Sequence, residues 1–484
     1  EAHAALEEAL GRRGLGFMRS DRLGFLTTCP SMLGSAMQVH VDIRLPRLGV
    51  RGDFKSICRA LQLDARQSGG ADGDAATWQV THRPALGMSE VALIDLVMRG
   101  CCHLARMEDD ISREEPVVLP GQGPDSLPGC SAEECPEEMP EMSGHRSLMA
   151  RVLCKDPSIF AALRDRRTPG GVGFALVVKS ALDVLGNASA SCVPPIGLVA
   201  GDADCYTTFS EVFVPALERF HGRAPPAEAH PSCHDAAAIA MDELSGDRRV
   251  VSVRFRLSRN LAGHRFPAAC TSEGRAEVEQ VLATCLRELS DDLAGDYQSL
   301  GATTPEQSKW LRQHGVGFLE PMTPARLAMG LGRDWPQARG VFVSSASNVA
   351  AQVNEEDHLV LVSIAGEDGA RSAFERLFAA EGAIGEGLAR QAQAFSRSEG
   401  LGFLTGMPEK LGTGLVVSVR LKLPRLGSGG GLPKMCDRLG LQLVAKAPSS
   451  VVEVANRATF GVSEAELVSA TFDACAALLR AEGA

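Results

Sequence analysis

Short apolar alternations and longer stretches of helical spacing divide the chain into blocks. Val39, Val41, Ile43 and Leu45 alternate with His40, Asp42 and Arg44, the period of a strand with one buried face, and Pro46 ends it. Residues 250–257 repeat the pattern, with Val251, Val253, Phe255 and Leu257 on one face and Ser252, Arg254 and Arg256 on the other. Strands are also expected at 340–343 and 359–364. Helical spacing predicts helices in EAHAALEEALGR at the start and over 53–63, 88–106, 275–293 and 370–380, with Ser89-Glu90 capping the 88–106 helix. The glycine-rich SGGADGDAA reads as a loop.

These blocks fall into an order. Residues 1–108 mix strands and helices. Residues 109–143, rich in Pro, Glu, Gly and Ser and without periodicity, read as an extended acidic linker. Residues 144–241 are helical in HRSLMARVL, DPSIFAALRDRR, GFALVVKSALDVLG and CYTTFSEVFVPALERFHG, and predict a small all-α domain. Strands then return between helices over 242–484, a larger domain, so the fold class is α+β.

One block occurs twice. RLGFLTTCPSMLGSAMQVHVDIRLPRLG begins at Arg22 and GLGFLTGMPEKLGTGLVVSVRLKLPRLG at Gly400, at a constant offset of 402 − 24 = 378 between Gly24 and Gly402. That period is far beyond the roughly 20–50 residues of a solenoid unit. The repeated object is therefore a whole globular unit.

Composition narrows the partners. The 484 residues suit roughly two to four domains. A net charge of −11 argues against nucleic acid, which needs clustered Lys and Arg, but leaves room for a small anion held by local arginines. Fourteen scattered cysteines in a long chain read as free thiols in a reducing, cytoplasmic compartment. No run reaches 18 apolar residues, so no membrane span is expected. No charged-then-apolar leader opens the chain, and with Glu1 as first residue the natural start is expected upstream.

Six blocks, the last of them the second copy of the repeat, follow one another across 144–484: GHRSLMARVL, VAGDADCYTTFSEVFVPALERFHG, VVSVRFRLSRNL, WPQARGVFV, VNEEDHLVLVSI and LGFLT…P…LGT…KLPRLG. In this order and spacing they resemble the phosphagen kinases, the ATP:guanidino phosphotransferases that include arginine kinase and creatine kinase. Residues 1–108 resemble the second half of a preceding catalytic domain, a partial second copy. The resemblance implies an all-helical N-terminal domain before a catalytic domain with an antiparallel sheet flanked by helices. It further implies a small guanidino substrate, ATP or ADP carrying Mg²⁺ with no metal site of the protein's own, and either homo-oligomers or intrachain pairing of units.

Phosphoryl transfer between ATP and a guanidinium needs cations around the phosphates and a carboxylate to orient and deprotonate the acceptor. Arg254 and Arg256, about 7 Å apart on one strand face, match the family's first phosphate-binding pair; a solvated strand face is the plain alternative. Asn354-Glu355-Glu356-Asp357-His358 sets three carboxylates in five residues, which raise one another's pKa unless a cation intervenes. By resemblance Glu356 is the catalytic carboxylate and a bound guanidinium the cation; an acidic turn is the plain alternative. His314 matches a family histidine that contacts adenine. GNASASCVPPIGLVAGD occupies the family's guanidino-specificity loop, in a form closer to the longer creatine kinase one.

Elsewhere the pattern departs. Val360, Val416 and Val444 stand where the family has arginines, Met407 stands at its reactive cysteine, and LVAKAPSSVVEVA lacks the second catalytic glutamate. The first copy keeps Cys29-Pro30-Ser31 but has Gln38, Asp64 and Gly69 at arginine, arginine and glutamate positions. Cys29 is thus either a reactive thiol or a small buried hydrophobe. Two readings follow: a phosphotransferase with weak or lost activity using Arg254, Arg256, His314 and Glu356, or a pseudoenzyme kept as a nucleotide-binding, regulatory or subunit-interaction module.

Overall fold

The computed structural model describes residues 2–483 other than 21–23, 30, 31, 33, 69–75, 84–89, 114–130, 141, 143, 144, 184–193, 225–227, 241–243, 245, 305–307, 309, 310, 312–314, 319–323, 367, 368, 429 and 447–449. His314, Gly69, Pro30, Ser31, Ser89 and most of the SGGADGDAA loop therefore lie outside the described residues. Two compact units form, Glu1–Gly129 with Pro321–Leu327 and Cys130–Glu320 with Ala328–Ala484.

In the first unit, β1 (Arg19–Ser20) and β2 (Gly24–Phe25) make a short antiparallel pair. β3 (His40–Arg44), β4 (Leu63–Gln67) and β5 (Thr77–His82) form an antiparallel sheet in the order β3-β5-β4. Phe54, Leu63, Val80, Val97 and Leu104 share its core, which brings the helices Phe54–Ala60 and Glu90–Ser112 against the strands. The helix expected over 53–63 stops at Ala60 because Gln62 turns left-handed, φ 60°, and Leu63 already belongs to β4. The helix expected over 88–106 runs on to Ser112, into the stretch read as linker. Its last turns are fastened by Glu108, whose carboxylate accepts from the backbone of Arg47 (3.0 Å) and Leu48 (2.7 Å).

The second unit is built on one antiparallel sheet. Its strands are β6 (Val250–Arg259), β7 (Gly295–Ser299), β8 (Gly340–Ser344), β9 (Val349–Val353) and β10 (Leu359–Ile364). After the short pair β11 (Arg397–Ser398) and β12 (Gly402–Phe403) come β13 (Leu415–Lys422), β14 (Leu441–Lys446) and β15 (Val451–Asn456). The order is β14-β15-β13-β6-β10-β9-β8-β7. Val253, Phe255 and Leu257 of β6 pack with Leu282, Phe374 and Val468, which places the helices Ser272–Arg287, Gly369–Arg390 and Glu464–Gly483 on that face. Val251, expected on the same face, is 48% exposed near the strand's start.

The helix expected over 370–380 continues to Arg390 past a charge, Glu381, that is buried because Arg259 of β6 meets it at 2.6 Å. The helix expected over 275–293 begins earlier, at Ser272, where Thr271 caps it by accepting from Gly274 N (3.1 Å), and ends at Arg287. Helices at Leu148–Lys155, Ser158–Leu163, Phe174–Asp183, Cys205–Thr208 and Ser210–His221 form a second core around Met149, Phe174, Phe209 and Phe213. Phe266, Leu404, Leu411 and Phe460 from the sheet's connecting segments join that core.

The two repeated blocks share local geometry. Gly402 sits at φ 71°, where a β-carbon would fall 2.7 Å from Gly412 O, and Gly24 sits at φ 68°, where it would fall 2.5 Å from Gly34 O. Only glycine permits both the left-handed backbone and that approach. Thr405 Oγ1 donates to Met407 O at 2.8 Å as Thr27 Oγ1 donates to Cys29 O at 2.8 Å, and the strand order β3-β5-β4 recurs as β13-β15-β14.

Candidate functional site

Strand alternation brings Arg254 and Arg256 to the face of β6 away from the helices. Register sets Arg256 between Val416 of β13 and Val362 of β10, and Arg254 between Ser418 and Ile364. Val360, one pair further along beside Ser258, is fully buried in an apolar cluster with Leu311, Val316, Phe318 and Ala350. Two of the three valines at arginine positions thus share the arginines' face. The third, Val444, is 50% exposed at an irregularity of β14.

Both arginines meet carboxylates. Arg254 Nη2 donates to Glu453 Oε1 at 2.7 Å, and Arg256 Nη2 to Glu355 Oε2 at 3.2 Å. Glu453 reaches this face from β15, two strands away from β6, a partner that spacing along the sequence does not reveal. Burial pulls the Arg254 guanidinium below its ordinary value, with Glu453 opposing the shift and Arg256 and Arg420 adding to it. The backbone crosses closely at Gly315, φ 69°, where a β-carbon would lie 1.8 Å from Arg254 Nη1.

The acidic turn between β9 and β10 separates its carboxylates. Asn354, left-handed at φ 58°, donates from Nδ2 to Arg275 O (2.9 Å) and Ala338 O (2.8 Å). Glu355 is buried and also accepts from Glu356 N at 2.7 Å. Asp357, fully buried, accepts at Oδ1 from Asn260 Nδ2 (2.7 Å) and Gly406 N (2.6 Å). Burial pushes its carboxyl up, against the pull of Lys410 and these donors. His358 accepts at Nδ1 from Leu261 N (3.0 Å) and donates from Nε2 to Arg265 O (2.9 Å); burial holds its imidazole down at about 3, hence neutral. Asn354, Asp357 and His358 lock the turn, and Glu356 is left reaching Lys410, whose Nζ donates to its Oε2. The cations expected to relieve the crowded carboxylates come from the chain itself, as Arg256 and Lys410.

Lys410 lies three residues beyond Met407, in the second copy of the repeated block. Its loop is fixed by Gly406 O accepting from Ala200 N (2.9 Å), Tyr206 Oη donating to Thr405 O (2.8 Å) and His221 Nε2 donating to Pro408 O (3.1 Å). Glu409, enclosed within the protein, accepts at Oε1 from Ile196 N (2.8 Å), at the described end of the expected specificity loop. Burial raises the Glu409 carboxyl, with the Ile196 amide and Lys410 opposing. In the first copy Cys29 is exposed, which overturns the reading of a buried hydrophobe. No group of three or more His, Cys, Asp or Glu that could hold a metal ion occurs among the described residues.

The sequence signature of the ATP:guanido phosphotransferase C-terminal catalytic domain matches residues 1–111 and 277–484, and that of the N-terminal domain matches 143–218. The chain belongs to the ATP:guanido phosphotransferase family. Among its relatives, the flagellar creatine kinase of Strongylocentrotus purpuratus is 30% identical over 489 residues, covering 99% of this chain and 41% of that protein. The M-type creatine kinase of Gallus gallus is 30% identical over 343 residues, covering 70% of this chain and 89% of that protein. A lombricine kinase crystal structure superposes with a TM-score of 0.64 at 28% identity, over 72% of this chain and 96% of that one. The chain spans less than half the length of the flagellar creatine kinase. Among the described residues no helix is long and apolar enough to cross a membrane.

Proposed function

We propose that the second unit binds MgATP at Arg254 and Arg256, presents Glu356 as the acceptor-side carboxylate of a phosphagen-kinase site, and transfers the phosphoryl group to guanidino compounds weakly or not at all. The observation that carries this reading is the Arg256–Glu355 ion pair, which ties the arginine strand to the turn bearing Glu356. Two guanidiniums on one strand face beneath the close-lying Gly315 suit a polyphosphate, which they would take in exchange for Glu453 and Glu355. MgATP is a substrate here, and it supplies the phosphoryl group. His314 contacts the adenine by family analogy.

Loss of transfer follows from magnitudes. Removing one preorganised donor to a developing charge costs about 10²–10³ in rate, and Val360, Val416 and Val444 stand where three cations belong, with Met407 in place of a thiolate. Even with non-additive losses ordinary turnover is not sustained. Val360 and Val416 on the arginines' face favour the second reading, a pseudoenzyme that keeps nucleotide binding as a regulatory or subunit-interaction module. Residues 1–112, to the end of the helix Glu90–Ser112, are then a partial second catalytic copy carrying Cys29, 113–143 a linker, 144–241 the helical domain and 242–484 the catalytic-type domain. Buried thiols such as Cys205 and Cys475 support a cytoplasmic location.

Thermal melts and a coupled assay test this. MgATP is expected to raise the melting temperature, and turnover with arginine, creatine, taurocyamine or glycocyamine to fall far below the roughly 1–100 s⁻¹ of active kinases. Robust turnover abolished by Glu356→Gln selects the enzyme over the pseudoenzyme. Absence of both turnover and MgATP stabilisation refutes the two together.

A further inference from the structure

Glu356 is the carboxylate a guanidinium substrate would seek, and a cation already occupies it. Lys410 Nζ donates to Glu356 Oε2, and both side chains are largely withdrawn from solvent, at 14% and 20% exposure. The ammonium also acts on the buried carboxyls of Asp357 and Glu409. Lys410 thus supplies to Glu356 the positive charge that a guanidinium head group would otherwise bring. Its position is built in. Lys410 N donates to Met407 O (2.9 Å), the neighbouring Glu409 is tied to Ile196 N (2.8 Å), and Thr459 Oγ1 holds Glu409 O (3.1 Å). The other copy of the block has Met32 at this position, a residue with no charge to offer.

Resting on the proposed reading of Glu356, we infer that Lys410 determines the specificity of this seat: its ammonium takes the place of the substrate guanidinium, so the chain binds MgATP while excluding guanidino compounds. Three reasons support exclusion over accommodation. A guanidinium entering beside Lys410 would add a second cation to a partly desolvated site. Displacing Lys410 would strand its partly buried charge away from the Glu356 carboxylate that satisfies it. Finally, the lysine is tethered, so a free ligand competes against an intramolecular partner at high effective concentration. No step of the chemistry runs through Lys410; it acts by occupying Glu356.

The test is calorimetric binding to the full chain. Wild type, Lys410→Met, Lys410→Arg and the double variant Lys410→Met/Glu356→Gln are titrated with arginine, creatine, taurocyamine and glycocyamine in the presence of MgADP, with MgATP titrated separately. Lys410→Met keeps the packed stem and removes the charge. It is expected to gain at least about tenfold in affinity for one of the four compounds, the double variant to lose that gain, and Lys410→Arg to stay closed. Unchanged guanidino affinity in Lys410→Met, with MgATP bound as in wild type, overturns the inference and leaves the proposed function standing. Failure of wild type to bind MgATP overturns both. Should Lys410→Met not fold, lysine-ammonium NMR decides: a protected Lys410 signal in wild type that is lost in Glu356→Gln supports the pairing, and equal solvent exchange in the two refutes it.

Discussion

At the scale of single residues, the arginine face is defined by which anion each guanidinium holds. Glu453 and Glu355 hold Arg254 and Arg256, so the proposed nucleotide binding would exchange carboxylate for phosphate. Charge-assisted hydrogen bonds are worth about 1.5–3 kcal/mol, so Arg254→Ala is expected to weaken MgATP binding by about tenfold or more. Glu453→Gln, which releases the guanidinium, is expected to tighten it. Isothermal titration of the two variants checks the opposite signs, and a shared sign would show that Arg254 serves Glu453 alone. Glu453 was not legible in the sequence as part of this face, because nearly 200 residues separate it from Arg254 and only the adjacency of β15, β13 and β6 brings them together. The role of Lys410 is hidden in the sequence for a similar reason: no periodicity links a loop lysine to a turn glutamate 54 residues earlier.

At the scale of elements, the buried pair Arg259–Glu381 joins the central strand to the longest helix on its face. Arg259 is wholly buried, stacks over the Phe403 ring with its Cζ 3.4 Å from the centroid, and donates to Thr413 O at 2.8 Å. The strand, the helix and the repeated block therefore meet on one guanidinium. Removing one partner of such a pair leaves a buried charge uncompensated, typically about 3–5 kcal/mol. Glu381→Ala is expected to cost that much in urea denaturation, with Glu381→Gln costing less because it retains an acceptor for Arg259 Nε. Sequence periodicity places these elements well where one face is apolar, as in β3 and β6. It cut the helix at Ala380 because a charged residue breaks the apolar stripe, and a stripe carries no information about an ion pair formed across layers. β4 and β5 are not legible in the sequence, since LDARQ and TWQVTH show no clean alternation; their half-buried, mixed faces leave the period weak.

At the scale of the whole molecule, buried histidines set the response to acid. His358 and His221 are held at about 3 and about 4, against an ordinary value of 6.5, chiefly by burial. The unfolded chain therefore binds protons that the fold refuses, so their contribution is complete above about pH 6.5 and is lost as pH falls. Each fully titrating histidine gives a slope of about 1.4 kcal/mol per pH unit. Asp357 and Glu409, raised by burial, have the opposite sign: they favour the fold while protonated and weaken it as pH rises past their ordinary values of 3.8 and 4.5. Urea melts between pH 7 and 5 should show stability falling with acid, and His221→Gln, which keeps a donor for Pro408 O, should flatten that fall. An unchanged slope would mean that His221 titrates normally.

The sequence by itself determined the family, the antiparallel α+β class, the strand face of Arg254 and Arg256 and the long-period repetition of the block, because these depend on the local alternation of side chains and on motif order along the chain. Only the tertiary structure decided which charges meet. Glu453 on Arg254, Glu355 on Arg256, Glu381 on Arg259 and Lys410 on Glu356 are all contacts between segments far apart in sequence, and the energy of a charge depends on its burial and its nearest partner, which folding alone supplies.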